Sequence, residues 1–264
     1  MMRRLLTLFR KELLDLMRNR AALIPVIVAA VIAIAMPFSI TVVIPQMSHE
    51  PLGADADLLK ISRAVGADEL SGEGRVQLFL FQQFLLVFLL MPITGAMSLA
   101  AHAIVGEKQA RTLEPLLATP ITTFELLVAK VLGSLIPTLV ISAGALALYF
   151  AGIAVTAEPG VARGMLTVRT LLLVLGIAPL AALVSLQLAL IISSRVNDPR
   201  TAQQFGVLII LPLTALLVAQ FTGSMWLTNR TIVGLGAVLL VLWIVLTGFS
   251  VALFDREAIL TRWR

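Results

Sequence analysis

The chain contains no cysteine, which removes disulfide frameworks, thiolate metal sites and cysteine nucleophiles together. Histidine occurs only twice, as His49 and His102. Charge is scarce as well: 13% of the 264 residues are Asp, Glu, Lys or Arg, against about 25% in soluble domains. No Gly-x-x-x-x-Gly-Lys-Ser/Thr sequence occurs, so the chain lacks a phosphate-cradling loop with which to hydrolyse ATP itself. Neither an HExxH sequence nor a Ser-His-Asp set can be assembled, which leaves an intramembrane protease or lipid hydrolase unsupported. No acid or base falls in the middle of a long apolar run, which counts against a carboxylate proton relay. Sodium held by backbone carbonyls or hydroxyls stays open.

What is present is apolar. Hydrophobic residues make up 59% of the chain and the mean hydropathy is +1.00, values that exclude a soluble fold. Runs of about 18 or more apolar residues define membrane spans. They fall at about 21–44, 76–105, 124–151, 169–194, 205–221 and 231–254. The expected fold is therefore all-α and integral to the membrane, a single domain over 1–264 with six transmembrane helices. The 205–221 run is roughly 17 residues, near the lower limit for crossing, and a re-entrant hairpin is its alternative. The net charge is +5, and Lys and Arg flank the spans, so anionic lipid headgroups rather than nucleic acid are the expected partner. With six crossings and an inner N-terminus, 14 of the 20 Lys and Arg lie on inner segments. By the positive-inside rule both termini are expected in the cytoplasm. No cleavable signal peptide is apparent.

Residues 1–20 place Leu5, Phe9, Leu13, Leu16 and Met17 at helical spacing, with Arg4, Lys11, Asp15 and Arg18 on the other side. That pattern predicts an interfacial helix, and equally a basic flank that orients the first span. The outer loop 45–75 contains His49-Glu50, but adjacent residues do not share a helix face and no third metal ligand is evident. The polar island at 106–122 has the first charges after Arg75: Glu107, Lys108, Arg111 and Glu114. Thr112 is placed to cap a short helix carrying Leu113, Leu116 and Leu117 that stops at Thr119-Pro120. Thr122 and Glu125 have capping-box spacing and start the next helix.

Glu107, Thr112-Leu113-Glu114, Leu116-Leu117, Thr119-Pro120, Glu125-Leu126-Leu127 and Lys130 resemble the cytoplasmic signature of ABC type-2 exporter permeases, some of them sodium-efflux-pump-like. Ser193-Ser194-Arg195, Asp198-Pro199-Arg200 and Ala202-Gln203-Gln204, with the tail from Phe254 to Arg264, extend the resemblance. Where that family often has Gly before the Thr, this chain has Arg111. The resemblance implies a coupling helix between spans 2 and 3 that docks on a separate ATP-binding subunit through Glu107, Arg111, Thr112, Leu113, Glu114, Leu116 and Leu117. It also implies a second permease protomer, ATP and Mg carried by the partner rather than by this chain, and a place in the plasma membrane.

Neutral polar residues inside the spans are the candidates for a translocation path: Gln82, Gln83, Ser134, Thr138, Ser142 and Gln187. Ser134, Thr138 and Ser142 repeat every four residues, a hydroxyl stripe that serves helix packing more often than a path. A self-sufficient secondary transporter or channel is the alternative reading, and a membrane enzyme the weakest.

Overall fold

The computed structural model describes residues 2–109, 122–196, 198, 201, 204, 205, 207–222 and 227–253. Among these the chain is helical, with no strand. An N-terminal helix α1, Met2–Arg18, ends at Asn19. There the Asn19 side chain accepts a hydrogen bond from the Ala22 amide (3.2 Å) and caps the first long apolar helix, α2, Arg20–Ser48. A short surface helix α3, Ala56–Ser62, is capped by Asp55. The second long helix, Gly72–Glu107, is divided into α4, Gly72–Phe88, and α5, Leu90–Gln109. Three more long apolar helices follow: α6, Thr123–Thr156; α7, Val168–Arg195; and, after the shorter α8, Val207–Phe221, the outward-facing α9, Asn229–Leu253.

The irregular points of these helices have one chemical cause. Proline removes its own N–H and its ring crowds the carbonyl four residues earlier. Pro92 acts on the carbonyl of Phe88, where α4 gives way to α5. Pro45 acts on Thr41, inside the π-helical turn Ser39–Val43 of α2, and Pro179 on Leu175, inside the π-helical turn Leu172–Ile177 of α7. Each proline thus sits just beyond the distortion that accommodates it. The start of α6 is equally local in origin. The Thr122 hydroxyl accepts from the Glu125 amide (3.1 Å) and the Glu125 carboxylate accepts from the Thr122 amide (3.0 Å), closing the capping box.

Tyr149 on α6 is fully buried towards the end of the bundle away from α1, with Phe38, Phe81 and Phe88 around it at ring-centroid distances of 5.7, 5.8 and 4.7 Å. Its hydroxyl donates to the Phe81 carbonyl (2.8 Å), so the one polar atom in this aromatic cluster is satisfied. Nearer the other end, α5 and α7 pack through small residues, Ala96 and Ala100 against Ala182 and Ala189, which let the two backbones approach closely.

The six-span arrangement expected from the sequence is corrected here to five helices long and apolar enough to cross a membrane among the described residues. The expected span at 205–221 is the 15-residue α8, roughly 22 Å long at about 1.5 Å per residue, short of a hydrocarbon core of about 30 Å. The apolar run between Gln204 and Thr222 is simply too brief. Nor is there a separate interfacial helix. Residues 2–18 are helical, but α1 lies along α6 with Leu8, Glu12 and Leu16 buried against protein, while Met17 is exposed. Of the predicted apolar face, Leu16 is buried, Phe9 and Leu13 are half-buried and Met17 is exposed, and the inward stripe runs through Leu8, Glu12 and Leu16, where Glu12 finds a buried lysine. A separate coupling helix is likewise not seen: Glu107 belongs to the last turn of α5, and residues 110–121 lie outside the described residues.

Candidate functional site

Where α1, α5 and α6 meet, four charged side chains form one buried junction. Lys130 lies two turns into α6 and is 1% exposed. Its ammonium donates to Glu107 Oε2 (2.6 Å), to the Ala103 carbonyl (3.0 Å) and to Glu12 Oε1 (3.4 Å), so all three of its protons have acceptors. Lys11 closes the figure from the solvent side, at 2.5 Å from Glu107 Oε1 and 3.3 Å from Glu12 Oε1, and also reaches Asp15 at 3.4 Å. Two lysines and two glutamates balance, and Glu107 bridges them with one oxygen each. Charges this deep are tolerable only when paired and hydrogen-bonded.

Close approach makes the junction possible. Gly133 lies one turn beyond Lys130 on α6, and a Cβ built there would stand 2.7 Å from the Cβ of Glu12. Glycine at this position lets α1 come near enough for Glu12 to reach Lys130. Burial by itself would lower the Lys11 pKa, but the hydrogen bond to Glu107 and the charges of Glu12 and Glu107 outweigh it and hold the pKa above its ordinary 10.5. The stabilisation Lys11 contributes is therefore fully present below pH 10.5 and is lost only as pH rises through the higher folded value. Beside the junction an open cavity of about 330 Å³ is lined by Asp15, Asn19, His102 and Gly106 together with Lys11, Glu12 and Glu107. His102 is tied by Nδ1 to the Ser98 carbonyl (2.9 Å), a helix-end role with no catalytic partner among the described residues.

Of the residues assigned to coupling, Glu107 lies in the junction, while Arg111, Thr112, Leu113, Glu114, Leu116 and Leu117 lie outside the described residues. The six candidate path residues occupy separate contacts. Gln82 donates to the Gly164 carbonyl (3.3 Å). Gln83 accepts from Gln220 (2.6 Å), whose oxygen in turn accepts from Arg169 (2.8 Å), an amide chain linking α4, α8 and α7. Gln187 holds α9 through Thr247 (3.0 Å) and Ser250 (3.0 Å). Thr138 bonds back to the Ser134 carbonyl (2.8 Å), and both are fully buried, with Thr138 packed on Gly95. Ser142 alone of the six lines a cavity in the membrane region, among the cavities described.

Sequence reasoning missed the union of Lys11, Glu12 and Lys130 with Glu107. Two signals point to it: a lysine seven residues inside a span needs a partner, and a glycine three residues on shares its helix face. Among the described residues no group of three or more His, Cys, Asp or Glu is placed to hold a metal.

Five long apolar helices, packed through small residues and tied to an N-terminal helix by buried charge, define a polytopic membrane protein with the makings of a transport subunit. The family model described as ABC-2 family transporter protein matches residues 6–231, and the chain belongs to that family. The matched region takes in the charge junction, α1 from residue 6 onward and every helix from α2 to α8. No curated protein matches the chain.

Proposed function

We propose that this ABC-2 family permease is the membrane subunit of an ATP-driven exporter. In this reading it forms the translocation path with a second permease protomer, identical or related. It takes its energy from a separate ATP-binding subunit, which carries the ATP and Mg. The observation that carries the reading is the junction of Lys11, Glu12, Glu107 and Lys130. It joins the ends of α5 and α6 that flank the 106–122 segment, and it joins both to α1. A push on that segment reaches two membrane helices and α1 together, as a rigid unit, which is what coupling between two conformations needs.

The contact with the ATP-binding subunit falls to Leu113, Leu116 and Leu117, with Arg111 and Glu114 at its rim. Three leucines in a segment this charged need an apolar partner, and burying one contributes about 1.5–3 kcal/mol. Leu116→Arg is expected to lower affinity for the ATP-binding subunit roughly tenfold or more, with insertion unchanged. Co-purification of the partner and its ATPase activity measure this. A variant that couples as well as the parent removes these residues from the docking contact.

Basic residues concentrate on α1 and near the 106–122 segment, which supports a cytoplasmic position for both in the plasma membrane, with 45–75 outside. Because the chain has no cysteine, single cysteines report without background. In intact cells an impermeant maleimide is expected to label Asp57→Cys and to leave Glu114→Cys unmodified until the cells are opened. Labelling of Glu114→Cys from outside reverses the orientation.

A further inference from the structure

Between α4, α5, α6 and α7 lies a cavity of about 230 Å³ whose walls include Phe88, Pro92, Leu139, Ser142, Leu175 and Pro179. Two of the three proline-linked distortions described above meet on its wall, the α4–α5 break and the π-helical turn of α7. The cavity opens sideways: Leu175 on its rim is 71% exposed and Ala143 is exposed, so the mouth faces the surrounding bilayer. Inside, the lining is apolar apart from the Ser142 hydroxyl, which is buried and has no hydrogen-bond partner. Of the other span hydroxyls, Thr94, Thr138 and Ser185 bond back to the carbonyl four residues earlier, while that of Ser134, also without a partner, lines none of the cavities described.

An ordered water needs two to four polar partners, and the wall offers one. A void left empty forfeits the dispersion contacts of every atom that lines it. The material at the mouth is hydrocarbon. The volume is below the ~300–1,000 Å³ of a site that encloses a drug-sized molecule, so it accepts a tail and leaves the head outside. We propose that this cavity is a binding site for a single apolar chain of a membrane amphiphile, which enters from the bilayer between α6 and α7 and meets the Ser142 hydroxyl as its one polar contact.

The site is independent of the transport reading, and its test measures binding. The full-length protein is reconstituted in phosphatidylcholine vesicles containing traces of phosphatidylcholine with a diazirine in its acyl chain. A parallel arm uses a free fatty acid carrying the same diazirine. After illumination, peptides are mapped by mass spectrometry, and the outward-facing α9 reports ordinary lipid contact. Adducts on 139–146 and 173–179 are expected to exceed those on α9 several-fold per residue. The arm that gives the enrichment identifies the amphiphile as a phospholipid or a free acid. Ala143→Phe and Val174→Phe, which fill the space from opposite helices, are each expected to reduce these adducts several-fold while leaving α9 labelled. Cavity adducts no more frequent than those on α9, or unchanged in both variants, overturn the proposal. So does the absence of cavity adducts because a second copy of the chain covers this face.

Discussion

Lys130→Met is expected to destabilise the protein by about 3–5 kcal/mol, the range for removing one partner of a buried ion pair. Lys130 is 1% exposed and satisfies Glu107, Glu12 and the Ala103 carbonyl at once. Without it Lys11, whose side chain is 41% exposed, is the one lysine of the junction left to both buried carboxylates, and the Ala103 carbonyl loses its bond from the ammonium. Lysine-to-arginine replacement does not rescue, because a planar guanidinium cannot reproduce the three-way geometry of the ammonium in the same space. Lys11→Met is expected to cost much less, since its charge is shared with solvent and exposed pairs contribute little. Thermal unfolding of the purified protein in detergent, followed by the loss of its monodisperse peak, ranks the variants. A Lys130→Met protein that melts with the parent, beside a Lys11→Met protein that does not, places the centre of the junction at Lys11 instead. The same substitution is expected to weaken coupling to an ATP-binding subunit, because α1, α5 and α6 would no longer move together.

The second large effect comes from a single methyl group. Gly133→Ala would set a Cβ 2.7 Å from the Glu12 Cβ. That carbon is fixed to the α1 backbone and has no rotamer by which to retreat. The helices must separate, and overpacking of this kind typically costs about 1–3 kcal/mol. Gly144 on the same helix is the internal control. Its added Cβ meets nothing within 4 Å, so Gly144→Ala is expected to be neutral or to stabilise by up to about 1 kcal/mol through helix propensity. Opposite signs for one substitution at two positions of α6 test close approach itself rather than glycine content. Limited proteolysis adds a local readout: Gly133→Ala is expected to expose α1 to cleavage, and Gly144→Ala to leave it protected. Equal protection in both would mean that α1 does not depend on this contact.

How much of this was legible beforehand depends on the range of the interaction that decides it. The Thr122–Glu125 capping box was readable because its donors and acceptors lie within one turn. The membrane character depends only on composition. The family resemblance rested on residues from Glu107 to Lys130, on 193–204 and on the tail 254–264, and the family match covers the first two and ends before the tail. The sixth crossing did not survive, since a charge rule applied to six apolar runs says nothing about whether one run is long enough, and α8 is 15 residues.

The charge junction was not readable. Glu12 and Lys130 are 118 positions apart, and the sequence pattern of 1–20 assigns Glu12 to neither the apolar nor the basic face. Only the packing of α1 on α6 at Gly133 turned Glu12 inward. The path residues illustrate the same division. Their polarity was visible in sequence, but only the tertiary structure assigned Gln82, Gln83 and Gln187 to inter-helix hydrogen bonds and Ser142 to a cavity wall. Composition, periodicity and caps act over a few residues and are written in the chain itself. Which face of a helix meets which neighbour depends on the close approach of distant backbones, and in a bilayer, where apolar side chains gain little by choosing protein over lipid, that choice falls to glycine contacts and buried charge.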